Sequence, residues 1–338
     1  MIEYLAPLAI VTVAGRRFDS WQEEGLIAAS VELTTDKTGE GVVEIFDPEF
    51  KIIDSLGAKA PLPGSFTFGW KDMGEANIFN GQLARAEWSN DTTRLRFHDF
   101  SAKMKQEKKS RYHKKETVIQ ILTKLAADSG LGFELRVKDF TDSEPFDAVL
   151  QGARTDWQKA LQIAHKAGLR LFVRNNTLFA VQAGTVKTGA HAGTLEFRKD
   201  IKLLRGFQLS YKVPENKKGK HKQTEYRGRR EGGKRLTGDH KPAPIGTTDL
   251  VVGEDLLKHS VRWAKTRAKA KSDRRREFAF EHHLQTLAEF RRLIQLRDTV
   301  TLAGMGGFYS NEYVVTNIRY NFRAGQLISE ITVGRDKA

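Results

Sequence analysis

Along the first hundred positions, short β-branched and alternating apolar runs recur between polar turns. Leu8, Ile10 and Val13 lie in a β-branched run that ends at Ala14-Gly15. Residues 27–33 follow, then a turn region at 35–41, then Val42-Val43-Glu44-Ile45-Phe46. Phe66, Phe68 and Trp70 alternate strictly, as side chains on one buried strand face do. Residues 78–83 and 95–100 complete the set. Short strands at this spacing, with polar turns between them, predict a sandwich or small barrel.

The period changes after Phe100. Residues 103–115 read as a basic linker. Val118, Ile121, Leu122 and Leu125 then form a helical stripe, stopped at Ser129-Gly130. Residues 133–137 alternate as a strand. Trp157, Leu161, Ile163 and Ala164 mark a second helix, stopped by Gly168. Residues 169–173 and 178–181 are expected to pair as a hairpin across Asn175-Asn176. Together these make a compact α/β module.

Strand patterns return at 195–211. Residues 212–248 are rich in Gly, Lys, Arg and Pro and offer little apolar surface, which predicts a mobile loop. Residues 254–272 predict a helix with Leu257, Val261, Ala264 and Ala268 on one face. Phe278, Phe280 and Leu284 alternate, as do Val300 and Leu302. Residues 314–322 and 327–333 predict a terminal hairpin turning at Ala324-Gly325. The expected fold is α+β, mainly β. A first β-barrel covers residues 1–105 and an α/β module covers 106–183. A second β-barrel covers 184–338, with a basic loop and helix inserted at about 212–276.

Charge is concentrated. The chain of 338 residues carries a net charge of +14. Residues 212–241 hold eleven Lys/Arg against four Asp/Glu, and residues 258–276 hold nine against one. The whole stretch 212–276 amounts to +12, residues 103–115 to +6, and the rest of the chain to −4. The basicity therefore belongs to local surfaces. The candidate partner-binding residues are Lys217, Lys218, Lys220, Lys222, Arg227, Arg229, Arg230, Lys234 and Arg235. Such a cluster can neutralise phosphates. Sequence-reading proteins, however, usually add a helix-turn-helix, a zinc site or an aromatic-studded sheet. Residues 212–241 contain a single aromatic, Tyr226, which is too few for a base-stacking platform. A solvated surface or an acidic partner protein accounts better for the charge.

Catalytic and cofactor chemistry finds little support. The chain has no cysteine, which excludes disulfides, zinc knuckles and thiol catalysis and fits synthesis in a reducing cytoplasm. No apolar run is long enough to cross a bilayer. The apolar stretch at 5–13 is short, follows Glu3 and contains Pro7, so it reads as a first strand and not as a secretion signal. Gly228-Arg229-Arg230-Glu231-Gly232-Gly233-Lys234-Arg235 nearly spells a phosphate-binding loop, but Arg235 stands where Ser or Thr would hold magnesium. His282 and His283 would point to opposite faces of one strand and cannot easily share a metal ion. His165 reads as an ordinary helix residue. No nucleophile elbow is present. No catalytic, metal or cofactor residue is assigned.

Three regions carry a resemblance. Lys108-Lys109-Ser110-Arg111-Tyr112-His113, Thr117-Val118-Ile119-Gln120-Ile121-Leu122 and residues 126–130 resemble the late control gene D proteins of contractile-tailed phages. So do Gln151-Gly152-Ala153-Arg154-Thr155-Asp156-Trp157 and the helix and hairpin after it, although that family usually has Ser where Thr155 stands. Asp298-Thr299-Val300-Thr301-Leu302-Ala303-Gly304, Tyr313-Val314-Val315-Thr316-Asn317-Ile318 and Phe46-Asp47-Pro48 are similar to the same family's barrels.

The resemblance implies a non-enzymatic baseplate or tail-tip hub, related to the N-terminal part of valine-glycine repeat spike proteins. It implies a homotrimer whose two tube-like barrels per chain make six around a channel, joining a six-fold tail tube to a three-fold spike. The implied partners are the tube or distal tail protein above, a separate spike below, other baseplate proteins, and DNA or a tape-measure protein in the channel. The implied location is the virion tail. If the two β regions have unrelated topologies, or pack into one continuous sheet, the six-fold argument fails and the hub assignment loses its mechanical basis. The competing reading is a basic nucleic-acid-binding protein with an OB-like barrel. A cell-wall hydrolase is a third.

Overall fold

The alternating residues of the N-terminal hundred form seven strands: β1 (Pro7–Val13), β2 (Arg16–Asp19), β3 (Leu26–Thr34), β4 (Glu40–Phe46), β5 (Pro63–Trp70), β6 (Gly74–Ser89) and β7 (Thr92–Asp99). A short helix, α1 (Lys51–Leu56), interrupts them after β4. The computed structural model describes residues 6–21, 25–56, 62–70, 74–137, 140, 145–182, 189–197, 201–202, 208–211, 224–229, 235–240, 250–252, 280–286 and 293–335. Every inward position of β5 is buried, as the Phe66-Phe68-Trp70 pattern requires. Phe66 meets Phe79 and Phe97 edge-on, with ring centroids 5.5 and 5.6 Å away. Burying a side chain of this size contributes about 1.5–3 kcal/mol. Two glycines make room for the aromatic corner. A Cβ on Gly64 would sit 2.3 Å from the Phe97 ring, and one on Gly81 would sit 2.3 Å from the His98 carbonyl.

The module begins with a 3-10 turn at Phe100–Lys105. It continues with β8 (Lys108–Lys109), β9 (Tyr112–Glu116), α2 (Val118–Ala127), β10 (Gly132–Arg136), β11 (Phe146–Leu150), β12 (Arg154–Thr155), α3 (Asp156–Lys166), β13 (Leu169–Arg174) and β14 (Thr177–Gln182). Both longer helices open on a capping box, Thr117 with Gln120 and Thr155 with Gln158. Thr155 therefore supplies the cap that Ser would supply, since either hydroxyl accepts from the third helical N–H. The predicted hairpin is present, turning at Asn175-Asn176 with φ of 47° and 61°. The basic linker read at 103–115 is not a linker. β8 pairs with β12 and β9 with β11, and Met104 and His113 are buried. Its charge density hid two inward side chains.

The remaining strands are β15 (His191–Glu196), β16 (Ile201–Lys202), β17 (Gln208–Tyr211), β18 (Thr224–Arg229), β19 (Arg235–His240), β20 (Leu250–Val252), β21 (Phe280–Thr286), β22 (Thr299–Ala303), β23 (Asn311–Arg323) and β24 (Gln326–Arg335). A single helical turn, α4 (Gly306–Tyr309), precedes β23. The predicted terminal hairpin is β23–β24. The stretch read as a loop contains a hairpin: β18 pairs antiparallel with β19 and parallel with β20. Thr224, Tyr226, Arg227, Leu236 and Thr237 suit strands despite the surrounding charge. The helix expected at 254–272 lies outside the described residues.

Among the described residues the two β regions form no closed barrel. Their described strands join one 14-stranded sheet, with the main path β16-β21-β24-β23-β3-β4-β7-β6-β5-β1-β2. The joint is a seven-residue antiparallel ladder from Asn317↔Thr34 to Arg323↔Ala28. An unpaired strand edge is a liability, and β3 and β23 each give the other a partner. One apolar cluster runs through both regions, from Val11 and Phe97 to Leu302 and Val333.

Within that sheet the two regions repeat one pairing scheme. In the first, β3 pairs with β4, β4 with β7, β7 with β6 and β6 with β5, all antiparallel. In the second, β17 pairs with β21, β21 with β24, β24 with β23 and β23 with β22, again antiparallel and in the same chain order. Both long hairpins turn on two residues with positive φ, Asn90-Asp91 (49°, 58°) and Ala324-Gly325 (49°, 71°). Such turns match the natural strand twist. The units part company at the flanking strand: β1 runs antiparallel to β5, whereas β15 runs parallel to β22.

Candidate functional surface

Because strands alternate, the face opposite the core cluster collects the polar residues of both units. Glu330, Arg319, Glu32, Glu40, His98 and Gln82 are successive register partners on β24, β23, β3, β4, β7 and β6. They form one polar row across six strands, and Gln285 of β21 extends it with a 3.0 Å hydrogen bond to Glu330. A second row places Asn321, Ser30, Val42, Arg96 and Arg85 in register. A third places Arg323, Ala28, Glu44, Arg94 and Glu87. Opposite charges meet at two places: Arg94 lies 3.7 Å from Glu44, and Arg96 lies 3.6 Å from Glu40. These pairs are half-exposed and contribute little stability each. Their effect is a wide, charge-balanced polar wall. Over β21, β24 and β23 the wall dips into a concavity of about 340 Å³ lined by His283, Gln285, Glu330, Thr332, Asn317 and Arg319, with Glu32 of β3 at one side.

One turn of this sheet fastens to the module through a single carboxylate. Residues 35–39 join β3 to β4, and Asp36 adopts a φ of 64° at their centre. Its carboxylate accepts from the Leu171 N–H at 2.9 Å, from His165 Nε2 at 2.8 Å and from Arg170 Nη1. Its own N–H donates to the Leu171 carbonyl at 2.6 Å. Burial pushes the Asp36 carboxyl up, but His165, Arg170 and the Leu171 N–H outweigh it and hold it below the usual range. Nearby, Asp99 is buried and accepts from the N–H of Gly39 at 2.5 Å and of Ser101 at 2.8 Å. Burial dominates there and pushes this carboxyl up to about 6. On the far side, Phe172, Phe179 and Val181 pack against Leu296, and Arg297 donates to the Gln182 carbonyl at 3.0 Å.

The sequence candidates fall elsewhere. Arg227 and Arg229 lie on β18, and Arg235 lies on β19. Lys217, Lys218, Lys220, Lys222, Arg230 and Lys234 lie outside the described residues. His282 and His283 do face opposite ways: His282 is 0% exposed, while His283 is exposed and 2.9 Å from Thr332 Oγ1. His282 Nε2 is 3.1 Å from the Tyr313 hydroxyl, which donates to the Tyr309 carbonyl. Burial pushes the His282 imidazole down to about 4. His165 is a docking residue through Asp36. No group of three or more potential metal ligands occurs among the described residues. No helix there is long and apolar enough to cross a membrane. Asp36 and Asp99 escaped sequence reading because an Asp beside a turn is normally explained by the turn itself.

No protein-family model matches the chain, and no curated protein sequence does either. Solved structures do match. The tail protein from Neisseria meningitidis MC58 superposes with a TM-score of 0.68 at 14% identity, over 98% of this chain and 97% of that one. The 43 kDa tail protein of prophage MuSo2 from Shewanella oneidensis gives 0.66 at 13% identity, over 97% and 98%. The E. coli c3393 protein, a type VI secretion system component with structural similarity to the T4 tail proteins gp27 and gp5, gives 0.62 at 11%, over 97% of this chain and 77% of that one. The chain has the fold of phage tail proteins. More particularly, these neighbours are of the kind that the resemblance to tail hubs leads one to expect, and the likeness runs from end to end.

Proposed function

We propose that the chain is a structural, non-enzymatic hub of a phage or phage-like tail baseplate or tail tip, akin to the late control gene D proteins. In this reading three copies form a ring around a channel, a six-fold tube or distal tail protein sits above, and a separate three-fold spike sits below. Other baseplate proteins contact its flanks, and DNA or a tape-measure protein occupies the channel. The polar wall lines that channel.

One observation carries the reading: the pairing scheme occurs twice per chain, and the two units meet edge to edge through β3 and β23. Three chains then offer six equivalent units with closed rotational symmetry. The continuous sheet defeats the argument from two separate barrels; the reading rests instead on the repeated pairing scheme, with the β3–β23 joint as the contact repeated round the ring. β17 and β16 occupy in the second unit the place of β3 in the first. Residues 83–89 of β6 occupy the place of residues 317–323, and their outer edge has no partner strand among the described residues. Counting register from the equivalent hairpins sets Lys202 of one protomer opposite Glu87 of the next.

The test uses the absence of cysteine. The double variant Lys202→Cys, Glu87→Cys should form covalent trimers under oxidation, because opposed strand residues fall within disulfide reach. Either single variant should not. A purified chain that stays monomeric at high concentration and never cross-links at this pair would overturn the proposal. The named wall residues include no aromatic to stack a base, so no observation favours the nucleic-acid-binding alternative.

A further inference from the structure

Among the described residues, the two most exposed large apolar side chains are Tyr112 and Leu150, each 63% exposed. They are direct register partners across the β9–β11 ribbon of the module. The next pair, His113 and Val149, is buried, so the ribbon has an inner face against the module core and an outer face carrying Tyr112, Lys114 and Leu150. Neither β9 nor β11 has a second partner strand among the described residues. The ribbon is nonetheless held in place. The Gln151 N–H donates to the Arg111 carbonyl at 2.9 Å, and Lys159 Nζ donates to the Leu150 carbonyl at 2.6 Å.

The surrounding charge is one-sided. Lys109 is paired with Asp156, Arg111 with Asp128, and Lys124 and His113 with Glu116, which uses the nearby carboxylates. Lys108, Lys114, Lys115 and Arg154 are exposed and enter no ion pair among the described residues, whereas of the exposed carboxylates described nearby Asp128 is taken up by Arg111 and Glu107 alone enters no ion pair. An apolar cross-strand pair left in water, on an unpartnered ribbon and ringed by free cations, is a recognition surface that lacks its partner.

We infer that this ribbon binds an extended acidic segment of a neighbouring protein. The segment's apolar side chains cover Tyr112 and Leu150, and its carboxylates reach Lys108, Lys114, Lys115 and Arg154. A peptide fits better than nucleic acid, because Tyr112 is the one aromatic on that face and Leu150 beside it has no use for a base. The inference rests on the surface alone and stands or falls without the tail reading.

The experiment uses the full chain and a fluorescein-labelled synthetic peptide alternating Glu or Asp with Val or Phe and carrying a photo-cross-linker. Controls are the same peptide with Gln and Ser for the acids, and an oligothymidine of equal charge. Because residues 212–276 also attract acids, the site is read from cross-linked fragments as well as from affinity. The acidic peptide should cross-link to residues 108–116 and 146–154. Its affinity should fall at least about tenfold in the Tyr112→Asp, Leu150→Asp double variant, and about three- to tenfold in Lys114→Gln, Lys115→Gln. Lys217→Gln, Lys218→Gln should leave the ribbon cross-links in place. All these positions are exposed or outside the described residues, and circular dichroism checks the fold of each variant. Cross-links confined to residues 212–276, an affinity indifferent to the double variant, or tighter oligothymidine binding at the ribbon would each overturn the inference.

Discussion

In the first β unit the antiparallel strands β3 and β4 are joined by residues 35–39, and in the second the equivalent strands β17 and β21 are joined by residues 212–279. The short connection carries Asp36 and locks the module to the sheet. The long one carries the greatest charge density of the chain and its own small sheet, β19-β18-β20, which pairs with no strand of the main sheet. Yet β17 and β21 still meet in register up to Tyr211↔Phe280, the place where a tight turn would close them. The same pairing scheme thus tolerates two very different connections. Alternation and edge pairing specify the sheet, while the connection at this corner is free to take on a task. Loop-closure entropy grows only slowly with length, so a long insertion at a hairpin end costs little.

The comparison breaks most violently if the shared core is overfilled. Gly64→Val places branched carbon where Phe97 already sits, since even a Cβ would lie 2.3 Å from that ring. Overpacking at a rigid aromatic corner should cost about 3 kcal/mol or more. Urea denaturation should show loss of a cooperative transition for the whole sheet, because the two units share one apolar cluster. Retention of an intact second unit would show that the units fold separately.

The next largest effect falls on the short connection alone. Asp36→Ala removes the acceptor of Leu171, His165 and Arg170 together and leaves a buried guanidinium without the Asp36 carboxylate. The expected cost is about 2–3 kcal/mol. Hydrogen exchange at the Leu171 amide should rise well before exchange in β5 does. Equal acceleration in both would mean that Asp36 serves global stability and not docking.

Acid should act on the two units with opposite signs. Asp99, in the first, has its carboxyl pushed up to about 6, so the folded state takes up a proton more readily than the unfolded chain. Its contribution to stability therefore increases as pH falls from about 6 toward 4, by up to about 3 kcal/mol. His282, in the second, is pushed down to about 4, so the unfolded chain protonates first and stability is lost between about 6.5 and 4. The wild type should show a flattened profile over this window. Asp99→Asn should expose a loss toward acid, and His282→Gln should expose a gain. Thermal melts from pH 4 to 7 that shift in the same direction for both variants would contradict this.

Much of the fold was legible because each element obeys one period. The Phe66-Phe68-Trp70 strand, the α2 stripe and the Asn175-Asn176 and Ala324-Gly325 hairpins lie where their patterns put them. What local pattern could not give was partnership between distant edges. Nothing in residues 26–34 announces that β3 will pair with β23, because a strand's sequence reports its buried face and not its neighbour. Charge misled in two places: Met104 and His113 face inward within a basic run, and β18 and β19 sit within another. The Tyr112–Leu150 pair was hidden for the same reason, since it joins residues from two segments that only tertiary structure brings together.

The smallest effect should come from the largest change. Replacing residues 213–278 by a four-residue Gly-Asn turn would give the second unit the short connection of the first. β17 and β21 already meet at Tyr211↔Phe280, so the new turn closes a hairpin that needs no rearrangement. The segment removed contains β18, β19 and β20, which among the described strands pair only with one another. The loss should shift Tm by no more than about 3 °C, while the net charge falls by 10, the +12 of residues 212–276 less one for the retained Lys212 and less one for the deleted Glu277. If the trimer still forms and only association with a partner is lost, the long connection is an attachment on a self-sufficient ring. If the sheet itself unfolds, the second unit depends on its insertion in a way the first does not, and the equivalence of the two units is structural in appearance alone.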